Sequence, residues 1–477
     1  MKKIKIAAML VLLTGMSISC TQGFEELNEN PNLITEVSPG TLLNPIIYGI
    51  ASQNALQSVD VTFNLMQVSL PFPSITGGLH RYDVSNNIGN SAWNNYYKWL
   101  NNIREMRMAS AKVKDGNYEA IALTLNALVY ANLTDLFGPV PMTEAARGED
   151  GILYPRYDKQ EFIYETLLAD LERANTLYDT SKPMIYAEDI LFQNKVASWK
   201  KFTNSLKMRL LLRISNRSET KAFEKLTYMI EHPEIYPVFS TTAEGAILKV
   251  TGISPNMSPW GRPQDFNLNI KMASFFIDNL NTMEDPRRAI IATGATALVT
   301  NAPLGYKGIT SAYAGSDSQF KYNASTLLNT QATNPMQIFI MTYAEVEFIK
   351  AEMAQRGYVA DAAGHYVKGV KSAMEQVKAV APANYFDNAL AQYNGTLERI
   401  MLQKYYALYF TDYQQWFEYR RTGFPILPKT TAMLNGGIMP SRFTYPDNQQ
   451  IKNYENYMEA IQMIEGDNIN SKVWWDK

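Results

Sequence analysis

Residues 93–106, WNNYYKWLNNIREM, and residues 118–136, YEAIALTLNALVYANLTDL, decide how this chain folds. In the first stretch apolar side chains recur every three or four residues, the spacing that lines one face of an α-helix; they are Trp93, Tyr96, Tyr97, Leu100, Ile103 and Met106. Asp115-Gly116-Asn117 separates the stretches, and Gly138-Pro139 ends the second one as a typical helix stop. The pattern predicts a helix hairpin.

Three further helix pairs are predicted downstream. Phe162–Tyr178 precedes Ser198–Ile214, Gln337–Gln355 precedes Gly364–Val380, and the last pair opens at Leu397 and runs towards Trp416. Together the four pairs lie near residues 93–137, 160–216, 337–380 and 397–421. Helix pairs of this size are typical of tetratricopeptide-like superhelical scaffolds. We therefore predict an all-α fold, with an irregular α-helical globule as the alternative.

Between the helix pairs the sequence becomes irregular. Residues 68–92, 235–265, 292–334 and 422–450 are rich in Pro, Gly, Asn, Ser and Thr with scattered aromatic residues. Long irregular segments inside a compact protein are more often functional than idle. We expect one domain over residues 41–477, in which a loop-rich region packs on the helices and ligand loops lie near 68–92, 250–265 and 300–322.

Composition excludes several classes of protein. The 44 Lys and Arg nearly balance the 46 Asp and Glu, so no nucleic-acid partner is expected. With 46% hydrophobic residues the chain can bury a large core. Three His and one Cys argue against a zinc cluster or a disulfide scaffold, and we expect no metal and no cofactor.

The N-terminus has the features of a secretory signal. A basic start, Met1–Lys5, is followed by an apolar run from Ile6 to Leu13 and by small residues up to the single cysteine, Cys20. We predict a lipoprotein signal peptide over residues 1–19, lipidation of Cys20, and a lipidated N-terminus and tether over residues 20–40. Ser17 departs from the usual lipobox, which prefers Leu at that position. Lipid chains would hold the protein at a membrane while its body stays in water.

Motifs of common catalytic sites are absent from the sequence. His80, His232 and His365 share no ligand spacing, and no nucleophile or phosphate-binding motif occurs. Two carboxylates that are distant in the sequence can still come together in the fold as a catalytic pair, so a surface glycoside hydrolase is one alternative. The acidic and basic residues of two helical stretches are interpreted instead as buried partners inside the scaffold; they are Glu345, Glu352, Asp412, Glu418, Arg420 and Arg421.

Aromatic residues in the irregular segments suggest a binding surface. An aromatic ring covers the apolar C–H patch of a sugar while neighbouring polar groups bind its hydroxyls, and loops on a rigid scaffold usually carry such groups. The candidate ligand residues, all in turn-forming contexts, are Trp260, Arg262, Tyr306, Tyr313, His80 and Tyr82.

Several segments, taken in order, resemble the SusD/RagB family of outer-membrane nutrient-binding lipoproteins, and its second SusD-like branch most closely. They are Asn28–Asn32, Asp135–Pro141, Ser198–Phe202 with Leu206–Leu210, Met341–Glu345 with Ala351-Glu352, Gln403–Tyr405, Trp416–Pro425 and Met439–Phe443 with Tyr445-Pro446. The resemblance covers nearly all of the chain after Cys20.

The resemblance implies four tetratricopeptide-like helix pairs and an outward-facing lipoprotein of the outer membrane. It further implies a lid over a SusC-like TonB-dependent transporter, which captures glycans or, in some relatives, peptides without cleaving them. Ligand residues are poorly shared in this family, so the resemblance carries over no binding motif. The function expected is glycan delivery, with peptide delivery as the alternative and a hydrolase as the more distant one.

Overall fold

The computed structural model describes residues 37–313 and 315–477 of the chain. The predicted signal peptide, Cys20 and most of the tether lie outside these residues. Pro39–Lys477 forms one compact unit.

Helices dominate this unit, and the predicted all-α architecture of paired helices is confirmed. In chain order the helices are α1 Pro39–Gln57, α2 Asn90–Val113, α3 Gly116–Phe137, α4 Gln160–Leu177, α5 Val196–Arg213, α6 Ala222–Glu231, α7 Ser274–Thr282, α8 Arg288–Ile291, α9 Tyr343–Gln355, α10 Ala362–Glu375, α11 Leu397–Ala407, α12 Gln414–Thr422, α13 Asp447–Lys452 and α14 Tyr454–Met463. A π-helical turn, Ser58–Thr62, and the short helix Phe63–Leu65 extend α1.

The hairpin of α2 and α3 forms where the sequence predicts it. Lys114 ends α2 with a left-handed φ of 54°, and the Asp115 carboxylate caps α3 by accepting hydrogen bonds from the backbone N–H groups of Asn117 and Tyr118. Gly138, with φ of 84°, ends α3. Helix α3 is apolar and long enough to cross a membrane, but 94% of its most apolar window is buried inside the protein. It is a buried core helix of the first pair.

Strands are short and occur in three antiparallel pairs within the described residues. Ser69–Pro71 (β1) pairs with Ile270–Met272 (β3), Ala246–Val250 (β2) with Met336–Met341 (β6), and Thr296-Ala297 (β4) with Tyr322-Asn323 (β5). The prediction of a helix from Gln337 onwards is wrong for its first five residues, which belong to β6. The backbone of this apolar run pairs with β2 instead of forming a helix. Helix α9 begins only after Thr342, whose hydroxyl caps it.

Buried ion pairs connect the helix pairs at the centre of the scaffold. Arg421 on α12 donates to both carboxylate oxygens of Glu352 on α9, at 2.8 and 2.6 Å, and lies 2.7 Å from Glu418. Glu418 also accepts from Lys404 on α11 at 2.8 Å. Burial alone would raise the pKa of Glu352, but Arg421 holds it below the usual value. Both carboxylates therefore stay charged and paired.

The ion pairs continue into the first two helix pairs. Arg213 on α5 lies 3.6 Å from Glu418 and 2.9 Å from the carboxylate of Asp135 on α3. Asp135 also accepts the hydroxyl of Tyr164 on α4 at 2.7 Å. We call these residues, Arg421, Glu352, Glu418, Lys404, Arg213 and Asp135, the ion network. A separate buried pair joins Arg209 to Glu345 at 2.6 Å, so the interpretation of these acids as scaffold partners is confirmed.

A second polar centre joins α1 to the turn between α11 and α12. The Asp412 carboxylate accepts from Asn54 at 3.4 Å, Asn132 at 3.3 Å and Gln414 at 2.8 Å. Its backbone carbonyl accepts the hydroxyl of Thr62, in the π-helical turn, at 2.7 Å. The π-helical turn thus places the Thr62 hydroxyl within hydrogen-bonding distance of the Asp412 carbonyl in the last helix pair.

Arg421→Ala is expected to lower the free energy of unfolding by about 3–5 kcal/mol, because Glu352 and Glu418 would stay buried without this cation. Urea denaturation followed by circular dichroism measures the change. The matched control is Arg147→Ala, which removes an exposed ion pair with Asp150 and should cost no more than about 1 kcal/mol. Equal losses in the two variants would contradict the structural role given to the ion network.

Candidate ligand-binding loop surface

Three irregular segments, residues 67–83, 305–313 with 315–322, and 424–438, meet on one side of the scaffold, and we call their common face the loop surface. Gln67 donates to the carbonyl of Pro428 at 2.9 Å, and Arg81 donates to that of Ala432 at 2.8 Å. Thr430 in turn donates to the carbonyl of Ala312 at 3.3 Å. Side chain to backbone bonds of this kind hold the loops in a defined arrangement.

A small hydrophobic cluster of its own lies under the loop surface. Its buried members are Leu70, Ala273, Ile309, Tyr313, Phe320 and Ala324, with Phe72 and Tyr322 partly buried against them. The Tyr313 hydroxyl donates to Asp317 at 3.0 Å, and the same carboxylate accepts the backbone N–H of Ser74 at 3.0 Å. The cluster therefore ties residues 69–74 to residues 309–313 and 315–324.

Half-buried aromatic rings of this surface each have a cation over them. The Lys271 ammonium lies 5.8 Å from the centroid of Phe72, the Lys307 ammonium 5.4 Å from Tyr322, and the Arg288 guanidinium 5.7 Å from Tyr306. Burial lowers the pKa of the Lys271 ammonium. Aromatic rings beside hydrogen-bond donors are able to bind a sugar, or the amides and side chains of a peptide.

Of the predicted ligand residues, Arg262 and Tyr306 are accessible. Arg262 is exposed and pairs with Asp265 at 2.7 Å, and the Tyr306 ring is half-buried. Tyr313 is only 3% exposed, within the small cluster. Trp260 is 9% exposed and packs against Phe266 and Phe410 of the main core. The Tyr313 ring thus holds loop and strand segments to one another, whereas the Trp260 ring holds its loop against the main core.

His80 and Tyr82 lie beneath the loop surface, each 1% exposed. Gly78, with φ of 94°, turns the chain into the 3₁₀ turn that carries His80. Neither ring nitrogen of His80 has a hydrogen-bond partner among the described residues. Burial, with a smaller contribution from Arg81, lowers the pKa of His80 to about 4; burial raises the pKa of Tyr82 to about 12. Both groups are neutral at pH 7.

Sequence reasoning missed Phe72, Tyr322 and Lys271. Phe72 stands between two prolines, Pro71 and Pro73, and that context alone could have marked it as a presented ring. Lys271 has no sequence signal, because its position over Phe72 follows from the pairing of β1 with β3.

Within residues 37–313 and 315–477 there is no group of three or more His, Cys, Asp or Glu able to hold a metal ion. The two acidic residues of α9 named in the sequence analysis, Glu345 and Glu352, form ion pairs with arginines.

Fold and surface together define a class: a helical-repeat scaffold that presents a loop-built binding face. The sequence matches the SusD-like family described as "Starch-binding associating with outer membrane" over residues 31–446. The protein belongs to this SusD-like family. No curated protein sequence matches the chain.

Solved structures of similar fold extend over nearly the whole chain. One, described as a chitin-binding protein, is 25% identical with a TM-score of 0.80, covering 92% of this chain and 100% of that one. A SusD homologue from Bacteroides fragilis is 22% identical with a TM-score of 0.77, covering 93% and 100%. A chitin-binding SusD homologue from Flavobacterium johnsoniae is 20% identical with a TM-score of 0.76, covering 91% and 98%. The predicted tetratricopeptide-like architecture is confirmed.

Replacing His80 is expected to change how stability depends on pH. The folded state holds the imidazole neutral down to about pH 4, whereas the unfolded chain protonates it below 6.5. The resulting stabilisation is complete above pH 6.5 and is lost as pH falls towards 4. When the pH is lowered from 7 to 5, the free energy of unfolding of His80→Gln should therefore fall by about 1–2 kcal/mol less than that of the parent protein.

Urea midpoints at the two pH values measure this effect. His232→Gln, at the end of α6, is the control and should behave like the parent protein. An unchanged pH dependence in His80→Gln would show that the buried imidazole is not the titrating group.

Proposed function

We propose that this protein is a lipid-anchored lipoprotein on the outer face of the outer membrane, that it binds nutrient oligosaccharides, and that it acts as the lid delivering them to a SusC-like TonB-dependent transporter. The observation that carries the proposal is the family match over residues 31–446, whose description names starch binding and the outer membrane. Two structural relatives described as chitin-binding support a glycan as the ligand class.

The loop surface supports glycan binding on physical grounds. Phe72, Tyr306 and Tyr322 are half-buried, which leaves part of each ring for the apolar face of a sugar. Lysine and arginine donors stand beside them. Each ring contact contributes roughly 0.5–1.5 kcal/mol beyond burial of area, so modest affinity for a short oligosaccharide is expected.

Delivery of peptides is the second candidate, and one observation favours it. The only tryptophan of the predicted ligand loops, Trp260, is buried against Phe410 and offers little ring surface to a sugar. Tyrosine, phenylalanine and cationic donors can equally bind the amides and acidic side chains of a peptide.

Membrane attachment in this proposal depends on Cys20. Lipidation after removal of residues 1–19 would place the protein at the membrane surface, and one lipid chain alone gives only weak attachment. The diacyl or triacyl anchor of a lipoprotein would therefore be needed to keep the lid on its transporter.

Retention on a panel of oligosaccharides, polysaccharides and peptides, with product release recorded at the same time, tests the ligand class. Residues 21–477 are expected to retain one glycan class and release no product. Tyr306→Ala combined with Arg288→Ala should weaken retention about tenfold or more, since a ring of the loop surface and the cation over it are lost together.

The matched control is Tyr154→Ala combined with Arg147→Ala, an exposed tyrosine and arginine outside the loop surface. Retention of peptides alone would favour the second candidate. Release of shortened glycans would overturn the binding function and favour the hydrolase.

Extraction of the protein from its native outer membrane tests the lid role. A TonB-dependent barrel is expected to copurify in mild detergent and to be identified by mass spectrometry. Cys20→Ala should abolish membrane attachment and reduce recovery of the barrel, whereas Thr21→Ala should leave both unchanged. A membrane-bound protein that never copurifies with a barrel would contradict the lid role.

A further inference from the structure

A groove around Trp474 lies on the helical scaffold, and none of its lining residues belongs to the loop surface. It consists of two adjoining cavities of about 360 and 680 Å³, which share Glu161 and Trp474. The first cavity lies between α4 and α5, and the second extends from the start of α4 to the end of α14. Ligand cavities in proteins usually measure about 300–1,000 Å³.

Trp474 is unusual among the seven tryptophans of the chain. Five are buried, and only Trp99 and Trp474 are half-buried. The Trp474 ring has the Arg217 guanidinium 5.1 Å from its centroid and the Tyr164 ring at 6.2 Å. Its indole N–H, although buried, has no hydrogen-bond partner in the described part of the chain. A half-buried aromatic ring therefore stands where the two cavities join.

The remaining lining combines an apolar floor with a rim of nearly balanced charge. Leu168, Leu211 and Ile214 form the apolar part of the first cavity. Four glutamates face five lysines and arginines around the whole groove; they are Glu161, Glu165, Glu219 and Glu459, against Lys159, Lys207, Arg217, Lys225 and Lys477. A rim of this kind gives no strong field to attract a polyanion or a polycation.

Several rim groups are free to bind a ligand. The carboxylates of Glu161 and Glu165 and the amide of Gln462 make no hydrogen bond or ion pair with any described residue. A neutral ligand with an apolar face and many hydroxyls matches an aromatic ring bordered by free acceptors and donors. That description fits a saccharide.

We propose that the groove around Trp474 is a second saccharide-binding site, which takes a mono- or disaccharide unit of a neutral glycan. The ligand class rests on the proposed function, but the site does not depend on the loop surface. Two weak sites on one protein would retain a long glycan much better than a disaccharide, because the second contact becomes intramolecular.

Fluorine NMR of the protein labelled with 5-fluorotryptophan tests the site directly, with Trp474→Phe assigning the Trp474 resonance. N,N′-diacetylchitobiose, cellobiose and maltose are the probes. At least one of them is expected to shift the Trp474 resonance and to leave that of Trp99 in place. No shift with any of the three would overturn the proposal.

Variants separate this site from the loop surface. Glu161→Gln combined with Gln462→Ala changes only exposed, unpartnered side chains, so the fold is preserved. It should reduce retention of a long glycan by about tenfold or more while binding at the loop surface continues. Trp474→Ala should act likewise, and Trp99→Ala, the matched control, should not.

The loop variant, Tyr306→Ala with Arg288→Ala, should keep the Trp474 shift. Loss of that shift in the loop variant would refute a second site but leave the proposed function standing. If the Trp474 resonance shifts but the loop variant retains glycan as well as the parent protein does, the groove is supported as a binding site and the assignment of the loop surface is refuted.

Discussion

Charges that are buried away from water must find partners inside the protein, and in this scaffold the partners lie on different helix pairs. Arg421 cannot contact Glu352 unless the third and fourth pairs are in register, and Arg213 cannot contact both Asp135 and Glu418 unless the second pair lies between the first and the fourth. Apolar side chains tolerate small shifts of a helix along its neighbour, whereas a bidentate ion pair does not. The ion network therefore selects one arrangement of helices, even where its net contribution to stability is small.

A scaffold fixed at its centre leaves the loops free to differ in sequence. The small cluster around Tyr313 and Phe320 is separate from the main core and joins only loop and strand segments. Changes there would alter the surface without disturbing the ion network. Such a division is what a binding protein needs, since its ligand residues sit on loops while the helices keep their geometry.

How much of this could be predicted depends on the range of the interaction that decides each feature. The helix pairs follow from local periodicity, and α3 to α5 begin and end within about two residues of the predicted limits. Residues 337–341 were misassigned because their apolar run fits a helix as well as a strand, and only the distant strand β2 decides between them.

The site depends on long-range partners still more strongly. A glycine- and proline-rich context indicates that Trp260 lies in a turn, but says nothing of Phe410, which covers its ring. Lys271 reaches Phe72 through strand pairing alone.

The delivery role proposed for this protein requires release of the ligand as well as its capture, and the half-buried aromatic rings suit both. Half-buried phenylalanine and tyrosine rings offer less contact area than an exposed tryptophan platform, so each short segment of a glycan would be held weakly and would leave quickly. A long glycan that contacts the loop surface and the Trp474 groove together would still be retained, because each released segment rebinds from a high effective concentration. Weak contacts in separate places would thus let one protein hold a polymer at the cell surface and yield a short oligosaccharide to a transporter.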